Sequence, residues 1–325
     1  MNSRQRFIET MRYGNPDRIP YFEEGIRVEV LKAWYQQGLP RNTEPFQNFP
    51  ADKRVEIQPD VDPIPKLKKW PSSISDLDDL QDRLHPQDPK RMPEDWSECL
   101  KVWQVSDQVT MLRVNHGFFE NMGVGDWSRF LEIIYLLNDN PEFIKRLMTI
   151  FGEFTARVSE HIIKDINVDA AIFSEPIGGN DGPLISPKMY EEIVLPSYEP
   201  ALSVLRSQGV ETFILRTYAN ARKLIPSMLK WGFNCLWACE VNADVMDYRE
   251  LRREFGKDLR LIGGIDLDAL RMGKDAIQRE VEEKVPALVE DGGYVPLADG
   301  RVREDVTYEN YVYYRELLRK IIQGS

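Results

Sequence analysis

Charged and hydrogen-bonding residues recur where the strand-like runs of this sequence end. The carboxyl ends of parallel strands meet at one edge of an α/β fold, where loops carry the chemistry. Carboxylates grouped around a few arginines are typical of an acid–base or carboxylate-binding site. We therefore expect one site to draw on Glu23, Glu24, Arg27, Arg113, Asn115, His116, Glu175, Asn180, Asp181, Arg216, Tyr218, Cys239, Glu240, Asp266, Asp299 and Arg301.

Four of these residues have side chains that suggest specific roles. His116 is a candidate general acid or base. Arg216 and Tyr218 are separated by one residue at the end of a strand-like run, so both can point into the same mouth. Cys239 is a candidate thiolate ligand or nucleophile, whereas Cys235 lies within an apolar run and is expected in the core.

Apolar periodicity places these residues on alternating strands and helices. Strands are predicted at Ile19–Phe22, Leu100–Gln104, Gln108–Val114, Asp169–Phe173, Glu211–Leu215, Asn234–Trp237, Leu259–Ile262 and Tyr294–Leu297. Helices are predicted at Ser3–Tyr13, Val28–Gln37, Trp127–Leu137, Asn140–Lys164, Pro187–Gln208, Ala219–Trp231, Asp247–Phe255, Asp268–Glu290 and Thr307–Ile322.

The last five strands each precede a helix, which favours parallel strands joined by right-handed crossovers. Eight strands in about 300 residues predict a TIM-type (β/α)8 barrel. A doubly wound sheet is the alternative, but Gly178-Gly179 and Gly263-Gly264 do not match its phosphate-binding turn. We predict a single barrel domain over residues 1–325, with an irregular N-terminal insertion at about 41–98.

Composition narrows the class of protein. The 42 Lys and Arg residues against 53 Asp and Glu give a formal net charge of −11, which argues against nucleic acid as a partner. Three cysteines do not make a secreted disulfide scaffold, and no apolar signal core or membrane span is present. These features predict a cytoplasmic protein with no membrane partner.

Several motifs resemble the uroporphyrinogen decarboxylase superfamily, in the correct order along nearly the whole chain. They are the opening NSRQRFIETMRYGNPDRIP, GPLISP at 182–187, LIGGID at 261–266, GGYVP at 292–296 and DVTYEN at 305–310. The resemblance implies a TIM-like barrel with its active-site cleft at the carboxyl ends of the strands.

The resemblance implies two kinds of enzyme. True uroporphyrinogen decarboxylases bind an acidic tetrapyrrole through an N-terminal motif with several arginines. The corresponding stretch here, FEEGIRV at 22–28, keeps only Arg27 beside two glutamates, which disfavours a substrate with many carboxylates.

The second kind transfers methyl groups to or from a corrinoid carried by a partner protein, often with zinc bound through His-x-Cys at a strand exit. Arg216-Thr217-Tyr218 occupies that position here, so a tight zinc site is not expected. A weaker site of oxygen ligands from Glu175, Glu240 and Asp299 is the remaining metal hypothesis.

The favoured function is a methyltransferase component that moves a methyl group from a small methoxyarene or methylamine to a corrinoid protein. Tyr218, Glu175, Glu240 and His116 are the candidate proton donors, since a phenolate or alkoxide leaves poorly unless protonated. Substrate binding is assigned to Arg27, Arg216, Asn180, Asp181, Asp266 and Asp299. The alternatives are a decarboxylase of a smaller acid or divergent porphyrinogen, and a non-catalytic barrel that has lost its site. A homodimer is compatible with the family.

Overall fold

The computed structural model of the chain describes residues 1–23, 25–41, 49–240 and 245–324. Glu24 and part of the predicted insertion, residues 42–48, lie outside the described residues. The described strands are β1 (Arg54–Ile57), β2 (Val109–Asn115), β3 (Ala170–Glu175), β4 (Thr212–Tyr218), β5 (Cys235–Cys239), β6 (Arg260–Ile265) and β7 (Tyr294–Ala298). The last six correspond to predicted strands.

Helices separate these strands at nearly all the predicted places. They are α1 (Ser3–Met11), α2 (Val28–Gln36), α3 (Leu77–Gln81), α4 (Trp96–Trp103), α5 (Phe118–Asn121), α6 (Trp127–Asp139), α7 (Pro141–Asp165), α8 (Pro187–Met189), α9 (Leu195–Ser207), α10 (Ile225–Lys230), α11 (Tyr248–Phe255), α12 (Leu267–Arg271), α13 (Lys274–Asp291) and α14 (Tyr308–Gln323). A π-helical segment, Tyr190–Val194, joins α8 to α9 without a break.

Two predicted strands are wrong. Leu100–Gln104 lies largely within helix α4, where Trp96 and Trp103 face each other with ring centroids 5.8 Å apart. Residues seven apart meet on a helix but not on a strand, and this spacing outweighs the short apolar run. Ile19–Phe22 is buried but forms no strand. The structure instead takes β1 from residues 54–57, inside the stretch predicted as an insertion.

The chain divides into two compact units. The central unit comprises residues 55–106 and 110–234, and the terminal unit comprises residues 1–54, 107–109 and 235–325. In the central unit β1 neighbours β2, and β2, β3 and β4 lie side by side in parallel pairs. In the terminal unit β5, β6 and β7 do the same.

Parallel strands that follow chain order and alternate with helices define an α/β fold consistent with the TIM-type barrel predicted from the sequence. Seven strands, not eight, are found among the described residues. Strands β2, β3 and β4 are almost fully buried, as expected when helices cover a parallel sheet. Across the described ranges no helix has the length and apolarity to cross a bilayer.

Candidate active site

The central unit holds a fully buried carboxyl group at the end of β3. Glu175 Oε1 accepts a hydrogen bond from the backbone N–H of Phe118 at 2.9 Å. Its Oε2 accepts from the hydroxyls of Tyr198 at 2.5 Å and Tyr190 at 3.3 Å. Burial raises the pKa of Glu175 to about 7, and these three donors partly oppose the rise. Glu175 therefore gains or loses its proton near neutral pH, although it is enclosed in a hydrogen-bonded cluster.

Local backbone features bring the donors to Glu175. Gly117 has φ of 96°, and a Cβ there would lie 2.6 Å from the carbonyl oxygen of Ser174, so the turn into α5 requires glycine. Tyr190 is the first residue of the π-helical segment, and Tyr198 lies beyond its end in α9. That segment absorbs one residue, so the two tyrosines present nearly the same helix face.

The helix-side location of Glu175 separates it from the other charged residues of the central unit. Successive side chains of a strand point to opposite faces, so Glu175 and Ser174 face opposite ways. Ser174 pairs in register with Arg216 of β4. Arg216 is 6% exposed, and its guanidinium forms a bidentate ion pair with Glu56 of β1 at 3.0 and 2.7 Å. Glu56 thus neutralises the arginine that the sequence assigned to substrate binding.

A second arginine on this face has only neutral partners. Arg113 Nη1 donates to Gln58 Oε1 at 2.6 Å, and its Nη2 lies 3.4 Å from Ser174 Oγ. Within the part of the chain that the structure describes, no carboxylate pairs with Arg113. A half-buried guanidinium with neutral neighbours can bind an external carboxylate at less cost than one already paired.

Among the candidate proton donors of this unit, Tyr218 and His116 are the two that solvent reaches. Tyr218 is the last residue of β4, lies on the same side of the strand as Arg216 and is 37% exposed. His116 Nε2 lies 3.8 Å from Asp62 and its Nδ1 lies 4.0 Å from Glu120. Either side chain can donate a proton from a position that a small molecule reaches.

Asn180 and Asp181 occupy the tip of a hairpin that follows β3. The Gly179 N–H donates to the Gly182 carbonyl at 2.8 Å, and Asn220 N–H donates to Gly179 at 3.0 Å. The hairpin is thereby fixed to the segment that follows β4. Both predicted binding residues are exposed and line a cavity of the central unit.

Most of the remaining predicted residues lie in the terminal unit, whereas Asn115 is buried at the end of β2 in the central unit. Glu240 has φ of 50°, and its N–H donates to the Asp299 carbonyl at 2.7 Å. Its carboxylate lies 3.8 Å from Arg27 Nη2, so this arginine also has an acidic neighbour. Asp299 accepts from the Leu267 N–H at 3.2 Å, and Asp266 caps α12 through the Asp268 N–H at 2.8 Å. These contacts stabilise loops, and the substrate roles of these residues stay predictions.

The sequence does not predict the hydrogen-bonding partners of Arg216 and Arg113. Glu56 and Gln58 lie in or just beyond β1, a strand hidden in a stretch rich in proline and charge. The alternating run Arg54-Val55-Glu56-Ile57 was the available signal, since a period of two is typical of a strand. Arg54 itself stacks on Trp237, with its guanidinium carbon 5.0 Å from the ring centroid.

The metal hypothesis gains no support from the geometry. Across residues 1–23, 25–41, 49–240 and 245–324, no group of three or more His, Cys, Asp and Glu side chains is arranged to hold a metal ion. Glu175 is enclosed by its three donors, and Asp299 is engaged with a backbone amide. Cys235 and Cys239 are buried, and burial raises the pKa of the Cys235 thiol to about 12.

Comparison with known families gives a match over most of the chain. Residues 54–296 match the family described as uroporphyrinogen decarboxylase (URO-D). The matched range begins at β1 and runs into β7, so it contains Tyr218 and both arginines that share a face with Ser174, Arg113 and Arg216. Comparison with curated protein sequences gives no match.

Proposed function

The chain belongs to the uroporphyrinogen decarboxylase family, and from that premise we propose that it is an enzyme that removes a methyl group from a small methylated substrate and passes it to a corrinoid held by a partner protein. A methoxyarene is the substrate class that suits its side chains best. The acceptor is a nucleophilic cobalt(I) corrinoid, which the partner brings as a second substrate.

The pairing of the arginines is the observation that carries this proposal. Glu56 neutralises Arg216 through two hydrogen bonds, and Glu240 lies beside Arg27. A tetrapyrrole with many carboxylates needs several available cations, because each buried carboxylate must be compensated. Arg113, with neutral partners only, supports a substrate that has one carboxylate.

Tyr218 supports the ether chemistry. Transfer of CH3 from an aryl ether breaks the carbon–oxygen bond, and the electron pair of that bond stays on the oxygen. A proton delivered to this oxygen turns a poor leaving group into a neutral phenol. Tyr218 ends β4 on the same side of the strand as Arg216 and is partly exposed, so we assign it as the proton donor.

The direct test is a methyl-transfer assay. The purified protein is mixed with cob(I)alamin or a corrinoid protein and a panel of methoxybenzoates, methoxyarenes and methylamines, and methylcobalamin is followed by its absorbance. We expect methylation of cobalt with at least one methoxybenzoate. Absence of cobalt methylation across the panel would count against the proposal.

Tyr218→Phe tests the assignment of the proton donor. Loss of a general acid lowers kcat by about 10²- to 10⁴-fold, whereas binding of the substrate should change little. Tyr135→Phe is the matched control, since Tyr135 is an exposed tyrosine on α6. Unchanged kcat in Tyr218→Phe would show that the proton comes from elsewhere.

Decarboxylation of a small acid is the second candidate, favoured by the same neutral surroundings of Arg113. The two reactions are distinguished by their products. Release of CO2 from a benzoate or a small pyrrole carboxylate without cobalt methylation would establish the decarboxylase.

A further inference from the structure

A separate cavity lies beside the hairpin that carries Asn180 and Asp181. It has a volume of about 520 Å³ and is bounded by helix α6, by the hairpin and the chain leading into α8, and by Lys223. Its volume falls within the range of about 300–1,000 Å³ that is typical of small-molecule sites. All of its walls belong to the central unit.

The hairpin gives this cavity a fixed wall. Gly178 pairs with Pro183 across the hairpin, and the Leu184 N–H donates to the Ile177 carbonyl at 2.9 Å. A Cβ on Gly178 would lie 2.1 Å from the carbonyl oxygen of Tyr218, so the close approach of hairpin and β4 requires glycine here. Because the backbone is held from both sides, the cavity exists before any ligand arrives.

The walls combine apolar surface with uncommitted polar groups. Ile134, Leu137, Leu184 and Met189 supply the apolar part, and Leu184 is 43% exposed. The uncommitted polar groups are those of Asn138, Asn180, Asp181 and Lys223, whose side chains have no hydrogen bond or ion pair with any described residue, whereas the Ser186 hydroxyl accepts from the Met189 N–H. This combination suits a molecule with an apolar body and polar ends.

The two charged groups of the cavity have opposite sign and do not neutralise each other. Asp181 and Lys223 both line it, yet no ion pair joins them. Two separated opposite charges attract a molecule that carries one ammonium and one carboxylate group.

We propose that this cavity binds a small zwitterion with an apolar body, of the size and chemistry of an α-amino acid with a large apolar side chain. Asp181 binds the ammonium group, Lys223 binds the carboxylate, and Ile134, Leu137 and Leu184 cover the apolar part. The site goes beyond the proposed methyl transfer, since neither Tyr218 nor Arg113 lines it.

Three probes of nearly equal shape test the proposal by calorimetry on the full chain. L-phenylalanine carries both charges, phenethylamine carries the ammonium alone, and 3-phenylpropanoate carries the carboxylate alone. We expect L-phenylalanine to bind about two- to fivefold more tightly than either analogue, the range that one exposed ion pair supplies. No binding of L-phenylalanine, or equal binding of all three probes, would overturn the proposal.

Two variants that each remove one charge test which side chain binds the ammonium group of the ligand and which binds its carboxylate. Asp181→Asn should abolish the preference for L-phenylalanine over 3-phenylpropanoate, because the ammonium then contributes nothing. Lys223→Gln should abolish its preference over phenethylamine. Asp139→Asn and Lys188→Gln remove the same charges from exposed neighbours outside the cavity and should leave both preferences intact. If the cavity variants behave like these controls, the proposed assignment is wrong.

Discussion

Glu175 makes stability depend on pH in a predictable direction. Its pKa is about 7 in the folded protein, above the ordinary value of 4.5, because burial disfavours the carboxylate. Between these two values the unfolded chain releases a proton that the folded protein keeps. The free energy of unfolding should therefore fall by about 3 kcal/mol as pH rises from about 4.5 to 7, and this contribution should be constant above 7.

Glu175→Gln isolates this contribution. An amide does not titrate. Its oxygen can still accept from the Phe118 N–H, and its NH2 group can donate to the tyrosine hydroxyl oxygens, so the variant should lose the pH slope without losing the fold. Urea denaturation at pH 5, 6, 7 and 8 measures the difference between variant and parent. Glu160→Gln, at an exposed position of α7, is the matched control and should keep the parental slope. A Glu175→Gln curve parallel to that of the parent would refute the prediction.

Arg113 should decide whether a carboxylated substrate binds. A charge-assisted hydrogen bond contributes about 1.5–3 kcal/mol, so Arg113→Gln should weaken binding of 4-methoxybenzoate by about 10- to 100-fold. Binding of 4-methoxybenzyl alcohol, which has no carboxylate, should change little. Calorimetry with both ligands gives the comparison, and Arg157→Gln is the control at an exposed arginine of α7. Equal losses for both ligands would point to structural damage.

At the scale of elements, one glycine sets the distance between two long helices. A Cβ on Gly152 of α7 would lie 2.0 Å from the carbonyl oxygen of Ser197 on α9. Alanine gains about 1 kcal/mol of helix propensity, but the clash with rigid backbone costs more. Gly152→Ala should therefore lower the free energy of unfolding by about 1–3 kcal/mol, as measured in urea. Higher stability in this variant would mean that the helices can move apart.

The sequence predicted most elements but not the faces on which their side chains lie. Six strands and most helices were found because their apolar periods extend over many residues. The short apolar run of α4 predicts a strand where the structure has a helix, and β1 is hard to predict because its four residues lie among prolines. Glu175 was correctly placed at the end of β3, yet its burial depends on Tyr190 and Tyr198, which are distant in sequence.

The same limit applies to the candidate substrate-binding residues. Arg216 and Tyr218 lie at the end of β4, as their positions in the sequence predict. The ion pair between Arg216 and Glu56 joins residues 160 positions apart, and no local pattern reveals such a contact. The cavity beside Asn180 and Asp181 likewise depends on how α6 packs against the hairpin.

At the scale of the whole molecule, charge argues against a polyanionic ligand. The net charge of −11 repels tetrapyrroles with many carboxylates, and salt screens this repulsion. We expect uroporphyrin to bind more weakly than millimolar at low salt, and uroporphyrinogen to release no CO2. Fluorescence titration with uroporphyrin and a CO2-release assay check both expectations. Tight binding that weakens as salt rises would show that a local cationic surface dominates.

The π-helical segment has a consequence for alignments of related sequences. In a regular α-helix eight residues turn about 80° beyond two full turns, whereas seven residues end only about 20° short of them. Tyr190 and Tyr198 are eight residues apart, and both contact Glu175 because the π-helical segment accommodates one extra residue. A relative with one residue fewer between these tyrosines, and a regular helix there, should therefore retain the same buried cluster. An alignment gap at this point would mark a change of helix type and leave the chemistry of the cluster intact.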